Sequence, residues 1–235
     1  MPRPRFRRPA HLEVVALLSK LDRTFLDRCE CSFGGGTRIV LELGEYRESK
    51  DIDFLCASRE GYRLIRETVS ESSLGQVASG GLALAREVRA DQYGIRTWLA
   101  ADKLKIKFEI LREARIELAS VRVAGLPVSC LSRAHTFAEK FLANADRGLD
   151  ASTLSRDAVD LAFMIAGWPS DKAAEGISIA RVAYGSDVDR KLTSVIGKLR
   201  QDKAYRKRCI EGLGIEDAKG FTTGLEMLAR GDWRA

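Results

Sequence analysis

The stretch from Gly34 to Phe54 reads GGGTRIVLELGEYRESKDIDF and combines two features that favour an α/β arrangement. Its glycines allow a tight turn and let a phosphate group approach backbone N–H groups at the start of a helix. Its end alternates acidic and apolar residues, which predicts a strand with Asp51 and Asp53 on one face. Each feature alone is weak. Their order along the chain predicts a phosphate-handling site.

Two carboxylates on one strand face repel each other unless a cation lies between them. Asp51 and Asp53 therefore suggest a site for Mg²⁺ or Mn²⁺, which prefer oxygen ligands. A third carboxylate, Glu109, lies on the polar face of another strand predicted over residues 104–111. If the two strands are neighbours, Glu109 faces the same metal. The alternative is a glutamate that faces solvent beside Lys107.

The predicted elements divide the chain into an α/β half and a helical half, an α+β fold in which a mixed sheet flanked by helices precedes a helical domain. The composition changes over residues 125–131, which places an α/β domain at 1–125, with a basic arm at 1–10, and a helical domain at 126–235. We predict helices over 12–28, 61–69, 134–145, 154–166, 188–199 and 223–229, and strands over 29–33, 50–56, 82–88, 95–99, 104–111 and 116–123.

The chain of 235 residues carries a formal net charge of +6, and the excess lies mostly near its ends. One cluster consists of Arg3, Arg5, Arg7 and Arg8, and the other spans residues 190–208. Basic patches of this kind are typical of proteins that bind a polyanion, although solvated helix faces show them too. The charge alone leaves both interpretations open.

The sequence contains no apolar run of membrane-spanning length and no apolar core of a signal peptide, so we expect a cytoplasmic protein. Its five cysteines stand at irregular spacings without a CxxC pair, and only two histidines are present. This pattern favours reduced structural thiols and argues against a zinc site.

A Gly-Gly-Thr turn followed by an Arg-x-Ser-x-Asp-x-Asp segment gives the sequence a specific pattern, in which several residue types occur at fixed gaps. It resembles the first motif of the AbiEii/AbiGii toxin family of nucleotidyltransferases, which belongs to the DNA polymerase β-like superfamily. The resemblance implies that the turn and the basic segment bind nucleotide and that the two acids bind metal. The matching residues are Gly35, Gly36, Thr37, Arg47, Ser49, Asp51 and Asp53.

A second motif of that family resembles AEKFL at residues 138–142 and RDAVDL at residues 156–161. The resemblance implies that Lys140 contacts nucleotide phosphate and that Asp157 or Asp160 completes the active site. It also places the third acid of the superfamily at Glu109. From the residues alone, Lys140 could be an exposed helix lysine, and Asp160 could pair with Arg156.

The resemblance further implies a metal-dependent enzyme that moves an NMP from an NTP to an acceptor. The acceptor that we expect is the 3′ end of tRNA or another RNA, and the biological role is that of a toxin with a cognate antitoxin protein. Two alternatives stay open: transfer to a protein hydroxyl, and a non-catalytic module that binds RNA or a partner.

Overall fold

The computed structural model describes residues 6–102 and 104–234, so Arg3 and Arg5 of the predicted basic arm lie outside the described residues. In that part of the chain, no helix has the length and apolarity needed to cross a membrane. The chain forms two compact units. Unit 1 comprises Met1–Leu41 and Ser49–Ser132, and unit 2 comprises Glu42–Glu48 and Arg133–Ala235.

Unit 1 contains a mixed sheet of seven described strands in the order β3-β4-β5-β2-β1-β7-β6. Most neighbours are antiparallel, but β2 pairs with β5 in parallel and β1 pairs with β7 in parallel. This arrangement confirms the predicted mixed sheet. The strands are β1 Cys31–Phe33, β2 Ile52–Cys56, β3 Ala83–Ala90, β4 Gly94–Ala101, β5 Leu104–Arg112, β6 Ser120–Arg122 and β7 Ser129–Leu131.

Four helices begin in unit 1, and local hydrogen bonds fix where two of them start. Asp22 accepts a hydrogen bond from the Phe25 amide, and Ser58 accepts one from the Gly61 amide, so each caps a helix. The single helix predicted over 12–28 was wrong, because the Asp22 amide donates to the Val77 carbonyl and interrupts it. The helices are α1 Pro9–Leu18, α2 Arg23–Arg28, α3 Gly35–Glu42 and α4 Arg59–Thr68.

Alternation along β2 and β5 builds the core of unit 1. Ile52 and Phe54 of β2 are fully buried, as are Phe108 and Ile110 of β5. The residues between them therefore point to the opposite face of the sheet, because successive side chains of a strand alternate. This agrees with the period-two pattern predicted for residues 50–56.

The short strand β7 was not predicted. It pairs with β1 through Phe33 and Cys130 and with β6 in antiparallel fashion, and Val128 and Cys130 are buried in the core of unit 1. Residues 126–132 therefore pack with the sheet, whereas the boundary predicted from composition lies before them. The strand predicted over 116–123 is reduced to β6.

Unit 2 is helical in its second segment, as the sequence predicted, but it contains two helices that the prediction missed. These helices, over residues 170–184 and 203–212, are rich in charged or small residues and have a weak apolar stripe. The helices are α5 Arg133–Arg147, α6 Arg156–Gly167, α7 Ser170–Tyr184, α8 Asp187–Gln201, α9 Lys203–Gly212 and α10 Ala218–Arg230.

Glycines allow two helix pairs of unit 2 to approach closely. A Cβ atom at Gly176 of α7 would lie 2.7 Å from the Ala134 carbonyl oxygen of α5, and one at Gly224 of α10 would lie 2.2 Å from the Ala162 carbonyl oxygen of α6. Both distances are too short for carbon next to oxygen, so these positions require glycine.

We predict that Gly224→Ala lowers the free energy of unfolding by about 1–3 kcal/mol, because the added methyl group forces α10 away from α6. Gly197→Ala in α8 is the matched control, since nothing lies within 4 Å of its Cβ position. There the better helix propensity of alanine should raise the free energy by about 1 kcal/mol. Urea unfolding followed by circular dichroism measures both, and equal effects of the two substitutions would contradict the close packing.

Candidate functional site

The acidic side chains of unit 1 come together through strand pairing. Asp53 of β2 is the direct register partner of Glu109 of β5. Neighbouring strands lie about 4.8 Å apart, so the two carboxylates start from adjacent positions on the same face of the sheet. Asp51 directly precedes β2 and shares this face by alternation. The two acidic strands are therefore neighbours, which is the condition under which the sequence placed Glu109 at the same metal as Asp51 and Asp53.

The glycine turn contacts the acidic strand directly. The Gly34 amide donates to the Asp53 carbonyl oxygen at 2.8 Å, and Gly35 then opens α3 with a positive φ of 68°. A Cβ atom at Gly35 would lie 2.3 Å from Asp53 Oδ2. Gly35 is therefore required both by its backbone conformation and by the carboxylate beside it. Gly36 follows in the first turn of the same helix.

Glu109 also has cationic neighbours. It forms ion pairs with Lys107 and, at 3.3 Å, with Arg96. Glu109 therefore lies beside Lys107, as the alternative interpretation of the sequence expected. It also lies beside Asp53. Within residues 6–102 and 104–234, no three Asp, Glu, His or Cys side chains are already grouped around a common metal position.

The donor chemistry nevertheless fits a hard divalent cation. Asp51 and Asp53 are partly exposed, and carboxylate oxygens are the ligands that Mg²⁺ and Mn²⁺ prefer. Glu109 could join them by exchanging a cationic side chain for the metal. The residues that would hold the ion are therefore Asp51 and Asp53, with Glu109 as a third ligand.

Thr37 and Ser49 join the glycine turn to the segment before β2. Their hydroxyl oxygens are 3.0 Å apart, and Thr37 is fully buried. The Ser49 amide donates to Nε2 of His11, a buried side chain of α1, at 3.4 Å. In this structure the two hydroxyls position the turn and the acidic strand relative to each other.

Unit 2 contains a buried cluster of charges around Lys140 of α5. Lys140 Nζ lies 2.9 Å from Asp157 Oδ1 and 2.7 Å from Asp160 Oδ2, both on α6. The lysine is only 7% exposed and stands between the fully buried Phe137 and Phe141. The alternative of an exposed helix lysine is therefore wrong.

Asp160 receives further donors from the segment Glu42–Glu48. Arg47 donates from Nε and Nη2 to the two carboxylate oxygens, each at 2.8 Å, and the Tyr46 hydroxyl donates at 2.7 Å. Arg156 is exposed at the surface, so the suggested pair between Arg156 and Asp160 is wrong. Arg47 was predicted to bind nucleotide. In this structure its guanidinium group donates two hydrogen bonds to Asp160.

The buried cluster stays charged. Burial opposes ionisation of both aspartates, but Lys140 and Arg147 hold the pKa of Asp157 below its usual range, and Arg47 and Lys140 lower that of Asp160. Burial also opposes the charge on Lys140, yet the two carboxylates raise its pKa. The network therefore consists of ionised partners that hold one another in place.

Two members of this network were missed in the sequence. Arg147 bonds both oxygens of Asp157, at 2.8 and 3.1 Å, and Tyr46 bonds Asp160. Arg147 stands seven residues after Lys140, so helical periodicity places both on one face of α5 and could have indicated it. Tyr46 stacks on Phe163 with ring centroids 3.8 Å apart, a contact that only the folded chain shows.

We predict that Asp160→Asn lowers the free energy of unfolding at neutral pH by about 3–5 kcal/mol, because it leaves buried cations without their shared carboxylate. The lowered pKa of Asp160 makes its contribution complete above about pH 4, the ordinary aspartate pKa, and progressively lost at lower pH. The stability of the wild type should therefore fall more steeply than that of the variant as the pH drops below about 4.

Urea unfolding at several pH values measures both effects. Asp171→Asn is the control, since its carboxylate pairs with Lys172 at the surface and should change stability by less than about 0.5 kcal/mol. Equal unfolding free energies for the wild type and Asp160→Asn at neutral pH would show that the network does not stabilise the fold.

A solved structure at low sequence identity shows the same fold. It is a protein from H. pylori assigned as a candidate nucleotidyltransferase, with a TM-score of 0.57, 16% identity and coverage of 96% of each chain. JHP933 from Helicobacter pylori aligns with a TM-score of 0.49 and 17% identity, covering 96% of this chain and 94% of that one. No curated protein matches the sequence.

A family model gives the closer assignment. The model described as nucleotidyl transferase AbiEii toxin, type IV TA system, matches residues 17–228, which include both the acidic strands of unit 1 and the charged network of unit 2. This confirms the resemblance inferred from the motifs and supports nucleotidyltransferase activity. The chain belongs to the AbiEii family of nucleotidyltransferase toxins from type IV toxin–antitoxin systems.

Proposed function

We propose that this nucleotidyltransferase moves an NMP from an NTP to an RNA acceptor, the 3′ end of tRNA, in a reaction that needs Mg²⁺ or Mn²⁺. The observation that carries the proposal is the alignment of Asp53 with Glu109 beside the Gly35 backbone. It combines carboxylates for a metal with a glycine turn at the start of α3. Both are needed to handle a triphosphate.

The residues of unit 1 have separate roles in the proposed reaction. Asp51 and Asp53 would hold the metal, which would supply positive charge to neutralise the phosphate oxygens. Gly35 and Gly36 offer backbone N–H groups at the start of α3 to the triphosphate. The acceptor hydroxyl attacks the α-phosphorus, the bond to pyrophosphate breaks, and Glu109 accepts the hydroxyl proton.

We also propose a catalytic role for three residues of unit 2, Lys140, Asp157 and Asp160. The raised pKa of Lys140 keeps the side chain charged, as contact with a phosphate requires. In this structure the ammonium group of Lys140 forms ion pairs with the carboxylates of Asp157 and Asp160. A phosphate contact would therefore replace one of those carboxylates. Arg47 would support the site indirectly, by fixing Asp160.

The toxin family implies an antitoxin protein as a partner. NTPs and tRNA occur together in the cytoplasm, and we propose that the enzyme acts there. The alternative acceptor, a hydroxyl group on the antitoxin or another protein, uses the same chemistry. The labelled product distinguishes the two acceptors.

We predict that Asp53→Asn abolishes NMP transfer while the protein stays folded, because the amide cannot replace the carboxylate at the metal. The purified protein is incubated with each α-³²P-labelled NTP, Mg²⁺ and total tRNA, with and without EDTA. The expected product is a labelled tRNA band that requires Mg²⁺ and is absent with the variant.

Asp171→Asn serves as the control and should retain full transfer, since its carboxylate lies at the surface of α7. Label on protein instead of RNA would show that the acceptor is a protein hydroxyl group, and the proposed transfer chemistry would still hold. A folded Asp53→Asn protein with undiminished transfer would overturn the proposed site.

We predict that Gly35→Ala also abolishes transfer, because its methyl group would displace the Asp53 carboxylate as well as strain the backbone. Gly44→Ala is matched in strain, since Gly44 also has a positive φ, of 79°, but nothing lies within 4 Å of its Cβ position. Each alanine in this conformation costs about 1–2 kcal/mol. Transfer by Gly44→Ala should stay within about twofold of the wild type under the same assay, and equal loss in both variants would point to backbone strain alone.

A further inference from the structure

Unit 1 contains a polar groove of about 670 Å³ around α4 and the end of β5. Three arginines of α4 and one of β5 line it, together with two glutamates of α4, so the lining does not suit an apolar ligand. The four arginines are Arg59, Arg63, Arg66 and Arg112.

The lining of the groove carries a net positive charge, because its four arginines outnumber its two glutamates. Arg63 forms an exposed ion pair with Glu67 at 3.2 Å. In the part of the chain that the structure describes, Arg59, Arg66 and Arg112 have no ion-pair partner, and all three are exposed. A groove with three available guanidinium groups attracts an anion, and the planar fork of arginine matches phosphate oxygens.

The arginines form a row rather than a single point. Residues 59, 63 and 66 follow helical spacing on one face of α4, and seven residues of helix extend about 10 Å along its axis. An extended ligand with several phosphates would use the whole row. A single phosphate would leave part of it without a partner.

An exposed aromatic side chain lies beside the groove. Tyr93, in the turn between β3 and β4, is 66% exposed, and its neighbour Gln92 lines the groove. The carbonyl oxygen of Tyr93 accepts a hydrogen bond from the Arg112 amide at 3.0 Å. Exposed aromatic rings next to basic side chains are typical of surfaces that bind single-stranded nucleic acids, because bases stack on the ring.

The strands that carry the acids also lead to this groove. Cys56 and Arg112 are register partners, three residues beyond the pair of Asp53 and Glu109 on the same two parallel strands. Three residues extend about 10 Å along a strand. Because side chains alternate along a strand, Arg112 points to the opposite face of the sheet from Glu109. An RNA with its end at Asp53 would therefore have to pass around the carboxyl ends of β2 and β5 to reach the groove.

In the basic stretch at 190–208, which the sequence suggested for the same purpose, three of the eight cationic side chains form ion pairs within unit 2. Arg190 pairs with Asp187, Arg200 with Glu226 and Lys207 with Glu211. The α4 groove has fewer cations, but its four arginines line a single groove, and among the described residues one of the four forms an ion pair.

We propose that the α4 groove binds the phosphodiester backbone of single-stranded RNA and that Tyr93 stacks on one of its bases. The role of this RNA as the acceptor rests on the proposed function, whereas the binding itself does not. Arg59, Arg66 and Arg112 contact phosphates, and they hold the chain that leads to the acidic strands.

The test measures binding of a short fluorescein-labelled, single-stranded oligoribonucleotide of mixed sequence by fluorescence anisotropy, at several salt concentrations and without NTP. The triple variant Arg59→Ala, Arg66→Ala and Arg112→Ala should bind at least about tenfold more weakly at low salt. The slope of log affinity against log salt should become shallower by about 2, since each lost phosphate contact removes about 0.7 for a single strand.

The control is a triple variant with the same loss of charge, Arg23→Ala, Arg86→Ala and Arg89→Ala, at exposed positions of the same unit outside the groove. It should keep most of the affinity and the wild-type slope. Equal weakening in both triple variants would assign the binding to net charge and overturn the proposal. An unchanged affinity of the groove variant would also overturn it and would favour an acidic protein as the ligand.

Tyr93 provides a second readout that net charge does not affect. Tyr93→Ala should weaken binding of the single strand by about fivefold or more, while Tyr93→Phe should leave it unchanged, because stacking needs only the ring. Binding of a duplex of the same sequence should not respond to either substitution. Loss in Tyr93→Phe equal to that in Tyr93→Ala would contradict stacking.

The two proposals fail in different ways. Label transferred only to protein, with oligoribonucleotide binding still dependent on the arginines, would remove RNA as the acceptor and keep the groove as an RNA-binding surface. Labelled RNA, with wild-type binding by the groove variant, would remove the groove and keep the proposed reaction.

Discussion

The parallel pairing of β2 with β5 is the interaction on which the acidic site depends. Burial of Ile52 and Phe54 against Phe108 and Ile110 fixes the register of the two strands. A shift by one residue would turn Asp53 toward the core and expose the apolar residues beside it. The hydrophobic contacts of one face thus determine the distance between the carboxylates on the other.

The charged network of unit 2 depends on a different balance. Taking Lys140, Asp157 and Asp160 out of water costs several kcal/mol per ion, and the cost is offset only because each charge has partners with good geometry. Apolar residues of similar volume would often stabilise a fold as well. Stability alone therefore does not account for these charges, and their part in nucleotidyl transfer is a proposal.

Charge distribution is a property of the folded chain rather than of its composition. The net charge of +6 indicated a polyanion as ligand, and the dense basic run at 190–208 was its most visible feature in the sequence. Folding places acidic side chains next to several of those cations. Among the described residues, three of the less conspicuous arginines of α4 and β5 have no ion-pair partner, although two glutamates line the same groove.

The sequence by itself determined the α+β class, the acidic strand and the glycine turn, because alternation and glycine content are local properties of Gly34–Phe54. Lys140, Asp157 and Asp160 were indicated by the resemblance of residues 138–142 and 156–161 to a family motif. The sequence pattern missed β7 and the inclusion of residues 126–132 in the sheet, since a three-residue strand has too little periodicity to be detected. Only the tertiary structure decided that Asp53 stands beside Glu109, that Arg47 holds Asp160 and that Lys140 is buried, because contacts between residues far apart in the chain depend on how the elements pack.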